Sequence, residues 1–167
     1  TKGTKYTFGR GVAVVNGTAT TTNSAWKVPV LGDDPGDPCY NATLGGTWCT
    51  RAWRWNVDSV IDTNDNQQAW YYTAETNAYE SGNGVMRSYD RGGYLVKIAH
   101  AARAFSAEAP RAELRFTTDS RCLELTEHLA GAIPSATAAC PGVGSSTASS
   151  YPDVPVDLMC ATSDTSC

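Results

Sequence analysis

The segment CYNATLGGTWCTRAWRWNVDSVIDTNDNQQAWYY (Cys39–Tyr72) holds four of the five tryptophans of the chain, and the alternation inside it sets the fold class. From Arg51 onward Trp53, Trp55, Val57 and Ile61 fall on one side of an extended chain, and Arg54, Asn56, Asp58 and Asp62 on the other. A period of two with one apolar side is the pattern of a strand with one buried face. Asp62-Thr63-Asn64-Asp65-Asn66 follows, rich in side chains that tolerate positive φ, after which Gln68, Trp70 and Tyr72 alternate with Ala69, Tyr71 and Thr73. The two runs read as a hairpin. A connection with an even number of residues sets odd positions of the first strand opposite even positions of the second. The expected core face is therefore aromatic, with Trp70 and Tyr72 beside Trp53, Trp55 and Val57.

A chain of 167 residues can bury roughly 70% of its unfolded surface as one domain, so size alone demands no staples. It nevertheless carries six cysteines, Cys39, Cys49, Cys122, Cys140, Cys160 and Cys167, none in a C-x-x-C pair. Zinc is disfavoured, no cofactor is implied, and disulfides in an oxidising, secreted or cell-surface setting are expected. Fifteen pairings exist for six cysteines. The sequential one, 39–49, 122–140 and 160–167, closes three short loops and is the expected pattern, each loop stabilising by about 2.5–3 kcal/mol on the chain-entropy account. The net charge of −4 and the absence of any lysine or arginine cluster argue against a nucleic-acid partner. No run of eighteen apolar residues exists to span a membrane. The opening Thr1-Lys2-Gly3 has no signal peptide, as expected of a matured secreted product or of a fragment.

The rest of the chain repeats the strand signal. Thr4–Phe8 alternates with Tyr6 and Phe8 inward, Val12–Val15 is a small apolar run, and Asn16–Ser24 has the composition of an exposed edge or loop. Trp26, Val28 and Val30 alternate, and Leu31–Pro38 is a turn cluster that delivers Cys39 to its staple. Thr76–Gly84 reads as a loop, Tyr94–Ile98 and Ala112–Phe116 as strands, and Arg91-Gly92-Gly93 as a turn or bulge. Cys122, Leu125 and Leu129 fall at i, i+3 and i+7 before Gly131, the pattern of one short helix. Pro134–Ser150 reads as a surface loop pinned by Cys140, and Tyr151–Asp157 as extended chain. The sum is an all-β chain of antiparallel hairpins forming a curved sheet, sandwich or barrel or shell segment, with one short helix and disulfide-pinned loops.

Several separate runs, GTKYTFG (Gly3–Gly9), TNSAWKVPVLGDDPGDPCY (Thr22–Tyr40), WC with AWRWNVDSVID (Ala52–Asp62), YYTAETNAY (Tyr71–Tyr79), RGGYL (Arg91–Leu95), RCL and YPDVPVDLMC (Tyr151–Cys160), occur in order over nearly the whole chain. Together they resemble the strand-rich region of secreted actinobacterial proteins of the RHS/YD-repeat class. The resemblance implies that residues 1–167 form a single β-rich module, a fragment of a longer protein whose strands wind into a shell that in some members encloses a toxic segment. It thus implies a wall segment rather than an active site. The chain departs from the class at the hairpin turn, which reads Asp65-Asn66 where the class often has Gly-Asn, and it lacks tandem YD repeats and any toxin-like segment.

Chemical candidates are few. Trp48, Trp53, Trp55, Trp70, Tyr71 and Tyr72 suit either a buried packing face, which the alternation favours, or a platform on which pyranose rings stack. Indole exposure decides between the two. Asp62, Asn64, Asp65 and Asn66 offer oxygens at calcium-like spacing but lack the glycine and the glutamate of an EF-hand, so an Asx-rich turn is the expected reading. His100 and His128 lie in different segments with no nucleophile motif around them. Glu75, Glu80, Asp90, Glu124 and Glu127 supply carboxylates for glycoside hydrolysis, yet nothing in the sequence selects a pair. No catalytic residue is therefore assigned and no enzyme is expected. Asn16-Gly17-Thr18 and Asn41-Ala42-Thr43 match the N-glycosylation acceptor pattern. The expected role is a non-enzymatic structural module, with a carbohydrate-binding module as the alternative and a glycoside hydrolase as a distant third. Its expected partners are the rest of a parent chain or copies of itself joined by strand addition at Thr1–Phe8 and around Val154–Val156, and glycans in the alternative reading.

Overall fold

The structure, a computed structural model, describes residues 3–43, 48–82, 84–118 and 142–165, and in them the chain is all-β and antiparallel. The strands are β1 (Lys5–Phe8), β2 (Val12–Val15), β3 (Thr18–Thr21), β4 (Ala25–Val30), β5 (Cys49–Trp55), β6 (Val57–Ile61), β7 (Asn66–Glu80), β8 (Met86–Arg103) and β9 (Ala112–Arg115). They form a five-stranded sheet in the order β1-β6-β7-β8-β9 and two ribbons, β2-β3 and β4-β5. Two short 3-10 turns follow, Ser145–Ser150 and Val156–Leu158. No helix among the described residues is long and apolar enough to cross a membrane. The predicted helix over Cys122–Gly131 lies outside the described residues.

Turn chemistry fixes the hairpins. Asn16 and Gly17, at φ 59° and 70°, close β2 onto β3 through the two-residue turn that Asn-Gly favours. Between β6 and β7 the Asp62 carboxylate accepts the Asn64 and Asn66 backbone N–H groups at 2.8 and 2.9 Å and the Asn66 side-chain amide at 2.8 Å, while Asp65 takes φ 61°. This Asx-held loop pairs Ile61 with Gln67 and Ser59 with Ala69, so five residues intervene and odd positions meet odd positions. The even-length expectation fails by one residue, and one residue inverts the faces.

The core is accordingly the opposite of the predicted one. Ala69, Tyr71, Ala99 and Ala102 are buried on one face of the large sheet against Ala13 and Val15 of the β2-β3 ribbon. Small alanines let the ribbon approach the sheet closely. Trp70 and Tyr72 point the other way and are half-buried. The predicted long strand is also broken at Asn56: β5 pairs with β4, whereas β6 pairs with β1 and β7. Trp53 and Trp55 therefore share no face with Trp70 and Tyr72, and they are 44% and 59% exposed. Tyr6 and Phe8, expected inward, are exposed as well.

The segment Thr76–Glu80, read as loop from its polar residues, continues β7 because cross-strand packing outweighs weak local preference. Tyr79 packs against Tyr89 at 5.8 Å and Trp48 at 6.5 Å, and its hydroxyl donates to the Pro29 carbonyl. Arg91 is the extra residue of a β-bulge, between Asp90 opposite Thr76 and Gly92 opposite Glu75. At Gly93 a Cβ would run into Thr73 and Ala74 backbone and the Trp26 ring, so glycine is what lets Trp26 sit on β8.

A disulfide joins Cys39 to Cys49 with Cα atoms 5.5 Å apart, closing the loop between β4 and β5. Cys160 is also disulfide-bonded; the 122–140 and 160–167 pairings lie outside the described residues. Cys160 docks on β7, where its carbonyl accepts the Ala78 N–H and its N–H donates to Asn77 Oδ1 at 2.7 Å. β1 is an edge strand, as expected of Thr1–Phe8, but Val154–Val156 is not extended: Val156 is buried and opens a 3-10 turn. The second edge is β9 instead.

Candidate functional site

The β4-β5 ribbon turns Trp53 and Trp55 toward solvent and buries Trp26. A β-bulge sets Trp53 between Ala52, opposite Lys27, and Arg54, opposite Trp26, so Arg51 and Arg54 share the side of Val28 and Trp26 while Trp55 shares that of Ala25. Both indoles are held from beneath. Trp53 packs on the buried Trp26 with ring centroids 5.8 Å apart and donates its Nε1–H to the Asp90 carbonyl at 2.9 Å. Trp55 lies on Gly9, where a Cβ would overlap its ring, and next to Gly9 the exposed Tyr6 and Phe8 rings stack 6.4 Å apart. Solvent-facing aromatic rings thus stand on both β1 and β5, with Trp55 reaching the Gly9 turn that follows β1. The Arg54 guanidinium covers Trp26 at 5.0 Å and Arg54 Nε donates to Asn56 Oδ1, while Trp26 Nε1 and Asn56 Nδ2 have no partner among the described residues.

A buried carboxylate holds this surface in register. Asp58 is fully buried and accepts Thr22 Oγ1 at 2.5 Å, Ser24 Oγ at 2.6 Å and the Arg10 backbone N–H at 2.7 Å. Backbone bonds from Gly9 to Asn56, from Asn56 to Ser24 and from Thr22 to Gly11 bind the same three segments. Asp58 thereby ties the end of β1, the start of β4 and the β5-β6 junction together. Sequence reading passed over this residue as a solvent-side position of a continuous strand.

The remaining candidates take structural parts. Both oxygens of Asp62 are engaged by the turn, chiefly by Asn66, which holds its carboxyl below the ordinary value of 3.8; Asn64, Asp65 and Asn66 are the other members of that turn. Glu80 accepts the Gly84 N–H, Glu75 faces Arg91 at 4.0 Å, and Asp90 accepts the Lys27 N–H at 2.7 Å. The structure thus scatters these three carboxylates; Glu124, Glu127 and His128 lie outside the described residues. His100 is exposed beside a shallow cleft of about 310 Å³ lined by Val60, Asp62, Gln67 and Gln68. Asp33, Asp34 and Asp37 cluster on the exposed loop after β4, with their oxygens within 4.8 Å of one another. Asn16 is exposed at the tip of the β2-β3 hairpin, and half-buried Asn41 accepts the Thr43 N–H at 2.9 Å.

Tyr6 and Phe8, which sequence reading placed inward, are the exposed aromatic residues it missed. Comparison of the chain with protein-family models, curated proteins and solved structures finds no match.

Proposed function

We propose that this chain is a secreted, non-enzymatic carbohydrate-binding β-module that stacks sugar rings on Trp53 and Trp55, with Tyr6 and Phe8 extending the contact. The observation that carries this reading is the exposure of two indoles on alternate residues of one strand, each pinned in place by its own support. Buried indoles would have favoured a purely structural wall. Rigid aromatic faces suit the apolar faces of pyranoses, and a pre-set platform loses little entropy on binding. The disulfide suits an oxidising compartment. The test is retention on insoluble polysaccharides and a glycan array. Trp53→Ala and Trp55→Ala should each weaken binding at least about tenfold with the far-ultraviolet spectrum unchanged. A wild-type chain that binds no glycan at millimolar concentration refutes the reading.

A second reading, the wall segment implied by the RHS-type resemblance, is favoured by one observation. On the sheet face opposite the core, Tyr6 and Val60 on one row and Trp70, Ile98 and Leu114 on the next remain exposed or half-buried, and the outer edge of β1 takes no strand among the described residues. A second copy pairing along β1 would satisfy that edge and continue the apolar face across the dimer. Sedimentation tests it: a dimer that Tyr6→Lys dissociates is expected, and a monomer at about 100 μM counts against it.

A further inference from the structure

We infer that the cleft beside His100 is a subsite of the glycan surface, where His100 and Gln68 read the hydroxyls of one uncharged pyranose. The inference rests on the carbohydrate-binding reading and adds to it a polar subsite with two recognition residues. The cleft holds about 310 Å³, and its lining includes Val60, Gln68 and His100 but not Trp70. Val60 is paired directly with the exposed Tyr6, one strand spacing of about 4.8 Å away, so the cleft opens next to the aromatic rings of β1. A glycan that touches Trp55, Phe8 and Tyr6 and continues across β6 therefore meets it.

The backbone is shaped to make this cleft. Gln67 pairs with Ala102 and Ala69 with Ala99, so Gln68 alone faces both His100 and Ala101, a bulge in β8. Ala101 takes φ 56°, a left-handed conformation that an alanine holds only where its surroundings impose it. Bulges of this kind re-aim side chains. The Ala101 carbonyl accepts the Arg111 N–H at 3.4 Å, the Ala104 N–H donates to the Asp65 carbonyl at 2.8 Å, and the buried Gln67 donates from Nε2 to the Val14 carbonyl at 2.8 Å. The walls are thus fixed before any ligand arrives. Against that frame the side chains of Gln68 and His100 form no hydrogen bond or ion pair among the described residues. An imidazole in its neutral form gives one bond and takes another, and a side-chain amide both gives and takes, which matches hydroxyls that do the same. Asp62, the charged residue of the lining, is held ionised by its turn bonds, chiefly from Asn66, so a sugar carboxylate would meet like charge.

Calorimetric titration with hexasaccharides of glucose, mannose, glucuronate and mannuronate, with the ring-nitrogen resonances of the two histidines followed alongside, tests the inference. At least one neutral hexasaccharide should bind, and its acid counterpart should bind about tenfold or more weakly at low salt, a gap that narrows as salt is raised. Gln68→Ala and His100→Ala should each weaken the neutral sugar about tenfold with the melting temperature unchanged. The His100 resonances of the wild-type protein should shift saturably with the same sugar. Full affinity in both variants, or unmoved His100 resonances while the sugar binds, overturns the subsite, and an acid that binds as tightly as its neutral counterpart overturns the uncharged class; each leaves glycan binding on the aromatic surface standing. Failure of every hexasaccharide to bind overturns both.

Discussion

Replacing Asp58 by alanine should cost about 3–5 kcal/mol of stability. The magnitude follows from what the carboxylate leaves behind. Thr22 and Ser24 are fully buried, and their hydroxyls, with the Arg10 N–H, have been placed by two loops to meet one acceptor group. Each bond to an ionised acceptor contributes roughly 1.5–3 kcal/mol, and each buried donor left without a partner costs about 1–3 kcal/mol. Hydroxyl rotation recovers part of this, since Ser24 Oγ also accepts the Gly11 N–H at 3.0 Å. Burying a carboxylate with no cation costs desolvation, which the substitution removes, so the full sum is not lost. Urea unfolding is the assay. With a slope of about 2 kcal/mol/M, unchanged between the two proteins, the midpoint should fall by roughly 2 M. Asp58→Asn keeps an acceptor for the hydroxyls but turns a donor toward Arg10, so it should lose about half as much. A loss below about 1 kcal/mol for Asp58→Ala would refute the view that this group ties the three segments together.

Replacing Cys39 and Cys49 together by serine should cost about 2.5–3 kcal/mol in the same assay, the entropy of the short loop they close; no change would mean that the loop is held without the bond. Gly93→Ala should destabilise by at least about 2 kcal/mol, because the new Cβ meets strand backbone as well as the Trp26 ring. Trp55→Ala, on an exposed residue, should cost no more than about 1.5 kcal/mol, and a loss of 3 kcal/mol or more would place it in a core. Burial raises Tyr71, Tyr72 and Tyr79 above the ordinary phenol value of 10.0, with Glu113 and Asp58 adding to the first two. The folded state therefore keeps protons that the unfolded chain releases. The tyrosines' contribution to stability should be level below pH 10 and fall as pH rises through the folded values, and midpoints that rise above pH 10 would contradict the assignment.

The fold class was legible because period-two alternation survives almost everywhere, from Trp26–Val30 to Ala112–Arg115, and no helical period competes with it in the described residues. The Cys39–Cys49 staple was legible for a local reason, nine intervening residues that bring the ends together. The interior was not. Its identity hung on the parity of one loop, which the Asp62 side chain set by capturing two backbone N–H groups, and on a strand break at Asn56 that composition does not mark. Size then misled: the large aromatic residues looked like core, whereas Ala69, Ala99 and Ala102 fill it because two layers must approach closely. The Asn16-Gly17 turn was readable, being the strongest short hairpin signal, but threonine-rich flanks made it look like loop. The aromatic site was visible as residues and invisible as a surface. Which side of β5 meets water is decided by its pairing with β4, a long-range fact that alternation alone does not carry.

The most direct test of the carbohydrate-binding reading is a titration of ¹⁵N-labelled protein with uronate and neutral oligosaccharides, followed at the five tryptophan indole resonances. Saturable shifts at Trp53 and Trp55, a smaller one at Trp26 beneath Trp53 and none at Trp70, would be the predicted result. Unmoved Trp53 and Trp55 resonances with every sugar, or shifts confined to Trp70 of β7, would contradict it.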